Sequence, residues 1–424
     1  MRILSTSLCY PSPDRPDQGI FVERRLAALA AKSHFDVEVV SPQPWCPVLR
    51  KRRRLPMQSQ PLQTCYPKLI SIPVLNWATD GLAYGWALER FVQERRRAGA
   101  GDFDLIDAHF VYPEGVGAWL AGRRLGLPMA CTVRGKIVSL SRRAIRRMQI
   151  RAMLRGVDAR IAVSKSLARW VHDVAGSDLH VDVIPNGVDT KIFYPMDRAQ
   201  SRQSLGWDLS ARYVLAVGHL QKLKGFDRLV EIWPEIQAKR PDVRLVLAGS
   251  KRGESGFQQR VLRDIDSINR QYGSNGYEPA IQFTGPVSSQ QLNLMYNAAD
   301  LMVNSSRSEG WCNAISESLA AGTPVVATDV GGNGEQIHST ELGMVVPDND
   351  NRALADAILR ALSKRWSRTD ISACGSKRRW LHVANDVERV FERVVQHPTA
   401  KAIGNDHASA GCRPLASAGI EVSG

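Results

Sequence analysis

The sequence predicts an α/β protein of two doubly wound domains, on three observations. Short apolar runs alternate with helical patterns from end to end, the order expected of parallel sheets flanked by helices. The runs fall into two sets of six, divided by a segment of turn residues. A length of 424 residues suits two or three domains.

The first set of strand candidates comprises residues 2–8, 37–41, 105–109, 128–133, 159–163 and 181–184. The second comprises residues 213–218, 244–248, 281–284, 301–304, 324–328 and 344–346. Between them lies IPNGVDTKIFYP, residues 184–195, whose Pro185, Asn186, Gly187 and Pro195 are turn and linker residues. The boundary is therefore placed near Val188, giving a first domain over 1–188 and a second over 189–379. A helix is expected over 380–395, where Leu381, Ala384, Val387, Phe391 and Val394 recur at helical spacing, and it is placed to pack back on the first domain. Two stretches stand outside the alternation. Residues 42–73, with RKRRR at 50–54 and several prolines, read as a long, mobile, basic loop. Residues 398–424, rich in Ala, Gly and Ser, read as a disordered tail.

Apolar residues make up 44% and charged residues 23%, which excludes a collagen-like, wholly disordered or disulfide-scaffold protein. The net charge of +14 is uneven. Residues 1–188 hold 28 basic and 16 acidic side chains, whereas residues 189–424 hold 28 and 26. The seven cysteines are scattered, with no Cys-x-x-Cys, so reduced thiols of a cytosol are expected and a structural metal is not. The first residues lack a basic segment followed by a long apolar core, so no signal peptide is expected. No run reaches the roughly 18 apolar residues of a spanning helix. The expected location is cytoplasmic, with any membrane contact peripheral, at the inner face of the plasma membrane.

The most specific stretch is SSRSEGWCNAISESLAAGTPVVATDVGGNGEQI, residues 305–337. It reads as a turn after a buried strand, then a helix over 314–321, then another apolar strand. A helix N-terminus at a strand end offers free amides and a positive dipole, which suit a phosphate. Glu309 and Glu317 are eight residues apart, and carboxylates accept hydrogen bonds from hydroxyls, so the pair suits a sugar and a ribose. By themselves they read equally as a helix cap and a solvated helix face.

The stretch resembles the retaining GT-B glycosyltransferases of family 4 (glycosyl transferases group 1), whose hallmark is a glutamate, seven residues and a second glutamate before a Gly-Thr-Pro-Val-Val strand. Here EGWCNAISE is the hallmark and GTPVV the strand. The resemblance implies two Rossmann-like domains facing across a cleft. It implies that Glu309 contacts the donor sugar and Glu317 the nucleotide ribose, and that Gly310 and the backbone at Asn313, Ala314 and Ile315 meet the diphosphate and sugar. VLAVGHLQKLKGFDRLVEIW, residues 214–233, reads as strand, turn and helix. A leaving nucleoside diphosphate gathers negative charge that fixed cations stabilise in a water-poor cleft. Lys224, followed by Gly225, stands where the family places its diphosphate lysine, and Gly218 ends the strand; an ordinary helix-entry lysine is the other reading. His219 stands where the family usually has arginine, and a neutral imidazole donates one hydrogen bond where arginine offers a permanent fork. FTGPV, residues 283–287, matches the place where the family's backbone reads the nucleobase, at Val287.

In the first half, CYPSPDRPDQGIFVERRLAAL, residues 9–29, places Gly19 before a helix starting near Ile20, so a phosphate could approach the backbone unhindered. It resembles the glycine loop of family members that build bacterial surface polysaccharides; a flexible surface loop is the alternative. His109 ends LIDAH where the family often has a histidine near the cleft, or is simply a satisfied polar residue. TVRG, residues 132–135, occupies the site of a His-Gly in many members, the histidine lying beside the reacting sugar. Arg134 cannot act as a base, so its expected task is electrostatic, binding donor oxygens or an anionic acceptor.

The implied catalytic set is Glu309, Lys224, His109 and Arg134. The implied substrates are a nucleotide sugar and a glycan or lipid-linked acceptor of surface-polysaccharide synthesis. No metal or cofactor is implied, and retention would follow from front-face attack assisted by the leaving phosphate. The pairs Asp102/Asp104, Asp264/Asp266 and Asp348/Asp350 stand away from the donor segments and are read as incidental. VSLSRRAIRRMQIRAMLR, residues 138–155, reads as a helix whose Arg142, Arg143, Arg146 and Arg147 suit an anionic membrane surface. Ile145, Met148 and Ala152 share a face that could instead be the packed stripe of a solvated helix. No motif supports nucleic-acid binding. A GT-B epimerase would leave the Glu309–Glu317 block unexplained, a non-catalytic binding subunit is hinted at by His219 and Arg134, and an NAD enzyme would need a Gly-x-Gly-x-x-Gly after the first strand, which is absent.

Overall fold

The computed structural model describes residues 1–45, 62–72, 76–135, 143–251, 253–272 and 279–397. Along the first half run β1 (Arg2–Thr6), β2 (Asp36–Val40), β3 (Gln43–Trp45), β4 (Thr64–Cys65), β5 (Lys68–Ile70), β6 (Leu105–His109), β7 (Met129–Val133), β8 (Ala159–Ala162) and β9 (Asp182–Val183). Seven of them form a parallel sheet in the order β4-β2-β1-β6-β7-β8-β9, while β3 and β5 pair separately. The second half supplies β10 (Arg212–Val217), β11 (Val243–Ala248), β12 (Ile281–Gly285), β13 (Leu301–Asn304), β14 (Val325–Thr328) and β15 (Gly343–Val346), all parallel, in the order β12-β11-β10-β13-β14-β15. This is the two-domain α/β architecture the alternation predicts.

Parallel neighbours require crossovers, and helices supply them on both faces, which is why the strands are apolar on both sides. Apolar clusters accordingly cover each face of each sheet, with Ile106, Cys131 and Leu154 in one layer and Ile3, Leu26 and Val39 in the other of the first sheet. The strand order reverses between β1 and β6 and again between β10 and β13. In open α/β sheets ligands bind outside the carboxyl ends of the strands at such reversals. The fold thus aims two such crevices, each with its own set of strand-end loops.

The chain passes between the sheets twice, side by side. Val188 and Arg379 form a parallel bridge, and a Cβ at Gly187 would lie 2.6 Å from the Arg379 carbonyl carbon. The last helix, Trp380–Gln396, then lies on the helix Ile20–Ala30, burying Trp380, Val383, Ala384, Val387, Val390, Phe391 and Val394 among Ile3, Val22 and Leu26. Leu381, included in the expected stripe, is exposed instead; it sits a third of a turn from Trp380, off the buried face.

Two further expectations are corrected. Part of the stretch read as a loop over 42–73 forms β3, β4 and β5, short segments that carry no periodicity of their own: Thr64 of β4 pairs with Val39 at the open edge of the large sheet, and Lys68 of β5 pairs with Gln43 of β3 in a separate ribbon. RKRRR at 50–54 and the tail over 398–424 lie outside the described residues. In the basic segment the helix runs Ala144–Gly156, and Arg142 lies outside the described residues. Its packed stripe is Ile150, Met153 and Leu154, whereas Ile145 and Met148 are 44% and 65% exposed. The spacing of 150, 153 and 154 (i, i+3, i+4) faces the first sheet and turns the other apolar stripe outward, among Arg147 and Arg151.

Candidate active site

The carboxyl ends of β10 and β13 bring Lys224 and Glu309 together. β10 ends at Val217, and a Cβ on Gly218 would meet the Lys224 side chain at 3.2 Å, so the glycine lets the lysine stem lie against the backbone. A short turn, Lys222–Lys224, closes on Gly225 at φ +69°, where a Cβ would clash with the Ser305 carbonyl oxygen at 2.0 Å. Lys224 Nζ then donates to Glu309 Oε1 at 2.6 Å, and Ser306 Oγ donates to the same oxygen at 2.7 Å. The turn carrying Glu309 is held from below: Thr328 Oγ1 donates to the Ser306 carbonyl at 2.6 Å and the Ser306 amide to Asn304 Oδ1 at 3.3 Å. Burial opposes the lysine charge, but the Glu309 carboxylate outweighs it, and the Lys224 pKa is raised. The result is a fixed cation and a fixed carboxylate at the switch point.

Behind them the helix Asn313–Ala320 starts at the cleft. Ile315 is buried, and its amide already bonds the Cys312 carbonyl at 3.1 Å, which leaves Asn313 and Ala314 as the partly exposed turn at the helix start. Glu317, one turn further, accepts from Tyr296 Oη at 3.1 Å and faces Arg24 Nη1 at 3.6 Å. Burial raises the Glu317 pKa, and Arg24 partly offsets it. His219 turns towards β11, where its Nδ1 lies 2.7 Å from Ser250 Oγ. Val287, after β12, is partly buried on the other edge of this sheet.

The first half contributes the carboxyl ends of β1, β6 and β7. Gly19 caps the helix Ile20–Ala30 at φ +76°, its Cβ position only 2.0 Å from the Cys9 carbonyl oxygen, so the loop from β1 folds back where a side chain has no room. β6 delivers Asp107 and His109 and β7 leads to Arg134; all three are buried. Arg25 Nη2 donates to Asp107 Oδ1 at 3.1 Å, and its Nη1 to Thr132 Oγ1 at 2.6 Å. His109 Nε2 lies 3.1 Å from Asp107 Oδ2, and Nδ1 lies 3.4 Å from Arg134 Nη2. A guanidinium only donates, so Nδ1 is the accepting nitrogen and the proton sits on Nε2, towards Asp107. Burial favours the neutral ring, and the His109 pKa falls to about 4 despite Asp107. Burial pushes Asp107 the other way, but Arg25, His109 and Arg134 hold it well below the usual carboxylate range. With both nitrogens engaged, His109 orients Arg134 and presents no free base.

The two halves meet at this point. Asn186 accepts from Arg134 Nη1 at 3.0 Å and donates to Asn313 Oδ1 at 2.9 Å, linking the end of β7 to the start of the helix Asn313–Ala320. Gly135 and Gly310 pack backbone to backbone, the Gly135 Cβ position lying 3.1 Å from the Gly310 amide. Glu335 accepts the amides of Lys165 and Ser166, at 2.9 and 3.0 Å, at the start of the helix Lys165–Ala175.

Sequence reading overlooked Arg24, Arg25, Asp107, Asn186, Tyr296 and Ser306. Arg24 and Arg25 lie one turn beyond Gly19 in the same motif, so the helix start marked them. Asp107 stands two residues before His109 on one strand and therefore on the same face, a usable signal. Asn186 was read only as a turn residue, and no local pattern connects it with Asn313. Among the described residues no group of three or more His, Cys, Asp or Glu could hold a metal ion, and no helix is long and apolar enough to cross a membrane. Asp348 of the Asp348/Asp350 pair is engaged with Arg228 at 2.6 Å.

Two family models match the chain in adjoining stretches: Glycosyltransferase Family 4 over residues 18–192 and Glycosyl transferases group 1 over residues 197–378. D-inositol 3-phosphate glycosyltransferase of Acidothermus cellulolyticus is 31% identical over 279 residues, 62% of this chain and 60% of its own length. The Nocardioides protein of the same name is 28% identical over 328 residues, covering 72% and 71%. The match thus spans about three fifths of the length of the first of these relatives. Among solved structures, sucrose-phosphate synthase from Thermosynechococcus elongatus superposes with a TM-score of 0.76 at 23% identity, covering 93% of this chain and 99% of that one. Anabaena HepE in complex with UDP gives 0.70 at 17%, covering 93% and 100%. At these identities the structural likeness speaks for the fold.

Proposed function

The chain belongs to the family 4 glycosyltransferases of GT-B fold, and on that premise we propose that it transfers a sugar from a nucleotide diphosphate sugar, with retention, to a glycan or lipid-linked acceptor at a membrane surface. The observation that carries this reading is the Lys224–Glu309 pair at the β10/β13 switch point, beside a helix N-terminus. Lys224 stabilises charge gathering on the leaving diphosphate, and the turn at Asn313 and Ala314 meets its oxygens. Glu309 accepts from donor-sugar hydroxyls while staying anchored on Lys224 and Ser306. Glu317, faced by Arg24, takes the ribose hydroxyls.

Retention is the family's expectation, and the engagement of every carboxylate and imidazole among these groups supports it. An inverting transfer needs a carboxylate or imidazole to take the acceptor proton from the far side. Glu309, Glu317 and Asp107 each face a cation, and His109 has both nitrogens engaged. The leaving phosphate is then the base nearest the incoming hydroxyl, which places attack and departure on one face. The acceptor side carries the surplus of positive charge, and the exposed Ile145 and Met148 stand among arginines, the arrangement of a helix lying on an anionic lipid surface. This favours a membrane-borne acceptor of cell-surface polysaccharide synthesis. A thermal-shift screen across nucleotide sugars, with release of nucleoside diphosphate as second readout, tests the donor. Stabilisation by at least one donor together with its consumption is expected; stabilisation without consumption would favour a non-catalytic binding subunit, and neither would end the reading.

A further inference from the structure

Arg134 is only 3% exposed, yet among the described residues no carboxylate pairs with it. Its guanidinium meets Asn186, His109 and, at 5.1 Å from Cζ, the ring of Phe21, all neutral, and its Nε is buried without a partner. Among the described residues the carboxylate that acts on it, Asp107, is already held by Arg25 and His109. Of two buried guanidinium groups only Arg25 thus has a carboxylate partner, and an unpaired buried charge costs far more than its hydrogen bonds return. Burial and the repulsion of Arg25 bring the Arg134 pKa down to about 9, so it remains charged at neutral pH. A neutral donor would satisfy Asn186 equally well. The cation is explained by a ligand that brings the missing negative charge.

Resting on the donor reading above, we propose that Arg134 is a subsite for a second anionic group of the substrates, a carboxylate or phosphate ester separate from the donor diphosphate. The diphosphate is addressed from the second half, by Lys224 and the start of the helix Asn313–Ala320. Arg134 comes from the opposite wall, where Gly135 touches Gly310 and Asn186 touches Asn313, at the sugar end of the cleft. Its planar fork matches a carboxylate or phosphate and offers nothing to a base-catalysed step. The group is carried either by the transferred sugar, as in a hexuronate, or by the acceptor, as in a sugar phosphate.

Calorimetric titration of the full chain and its Arg134→Gln variant separates the sources. UDP, UDP-glucose and UDP-glucuronate probe the donor, and inositol and D-inositol 3-phosphate, with and without UDP, probe the acceptor. At least a tenfold preference for the charged member of one pair is expected, lost in Arg134→Gln, with affinity for UDP within threefold of the unchanged chain. Arg134→Lys, which keeps the charge without the fork, should keep part of the preference and serves where the glutamine variant fails to fold. The proposal is overturned if neither pair shows a preference, if the preference survives in the variants, or if UDP itself is weakened as much, which would make the diphosphate the anion. Preference for the inositol phosphate without any nucleotide binding would uphold the subsite and remove the donor reading.

Discussion

At the scale of single residues, the account turns on charges whose partners are fixed before any substrate arrives. Lys224 is held by Glu309 at 2.6 Å, so in the proposed reaction it would be aimed in advance. Replacing a preorganised group of this kind costs on the order of 10²–10³ in turnover. Lys224→Ala is therefore expected to lower kcat by about that factor with the fold retained, measured as nucleoside diphosphate released; a loss below tenfold would remove Lys224 from the transition state. Glu114, in the turn Val111–Gly115 after β6, is the other telling residue. It is buried and accepts the Leu8 amide at 3.1 Å, and burial raises its pKa to about 7. The folded chain thus binds this proton more tightly than the unfolded one, so stability falls as pH rises from 4.5 through about 7. Glu114→Gln keeps the acceptor oxygen and removes the charge. Its melting temperature should exceed that of the unchanged chain at pH 8, by a stability gain on the order of 1–3 kcal/mol, with the gain gone at pH 4. An equal difference at both pH values would show that the charge is not what matters.

Among the elements, those with strong local patterns were readable and those defined by distant partners were not. The central strands of both sheets declared themselves as apolar runs, and Lys224, Glu309 and Glu317 were singled out by the family resemblance of their motifs rather than by their residue types. β4 was hidden because it is defined by pairing to an edge, and β3 and β5 because they are defined only by pairing with each other. Asn186 was hidden because its partner Asn313 lies 127 residues away. The helix Ala144–Gly156 shows the same limit in another form: the sequence offers Ile145, Met148 and Ala152 as the shared face, and only the position of the sheet decides that Ile150, Met153 and Leu154 face inward. The stripe of Ile145 and Met148 left outside gives a direct prediction. The protein should sediment with vesicles of anionic phospholipid at low salt, and the double variant Ile145→Asp, Met148→Asp should lose this while its melting temperature stays unchanged. Unaltered sedimentation would take this helix out of the membrane argument.

For the whole molecule, the positive charge of the first half and the near balance of the second acquire a physical meaning. Residues 1–188 carry the excess on the side assigned to the acceptor, while the second half needs only a few placed cations at its switch point. The halves are joined around the cleft by Asn186 on Asn313, Arg24 on Glu317 and Glu335 on the start of the helix Lys165–Ala175. The carboxylate proposed for the ribose and the cation facing it come from helices of different halves. The central claim is a sugar transfer with retention at this junction. It is tested most directly by proton NMR of the product formed from an α-linked nucleotide sugar selected by thermal shift, in the presence of a membrane extract as acceptor. An α-linked product, formed by the unchanged chain and not by Lys224→Ala, is predicted. A β-linked product, or a donor that binds and is never consumed, would contradict it.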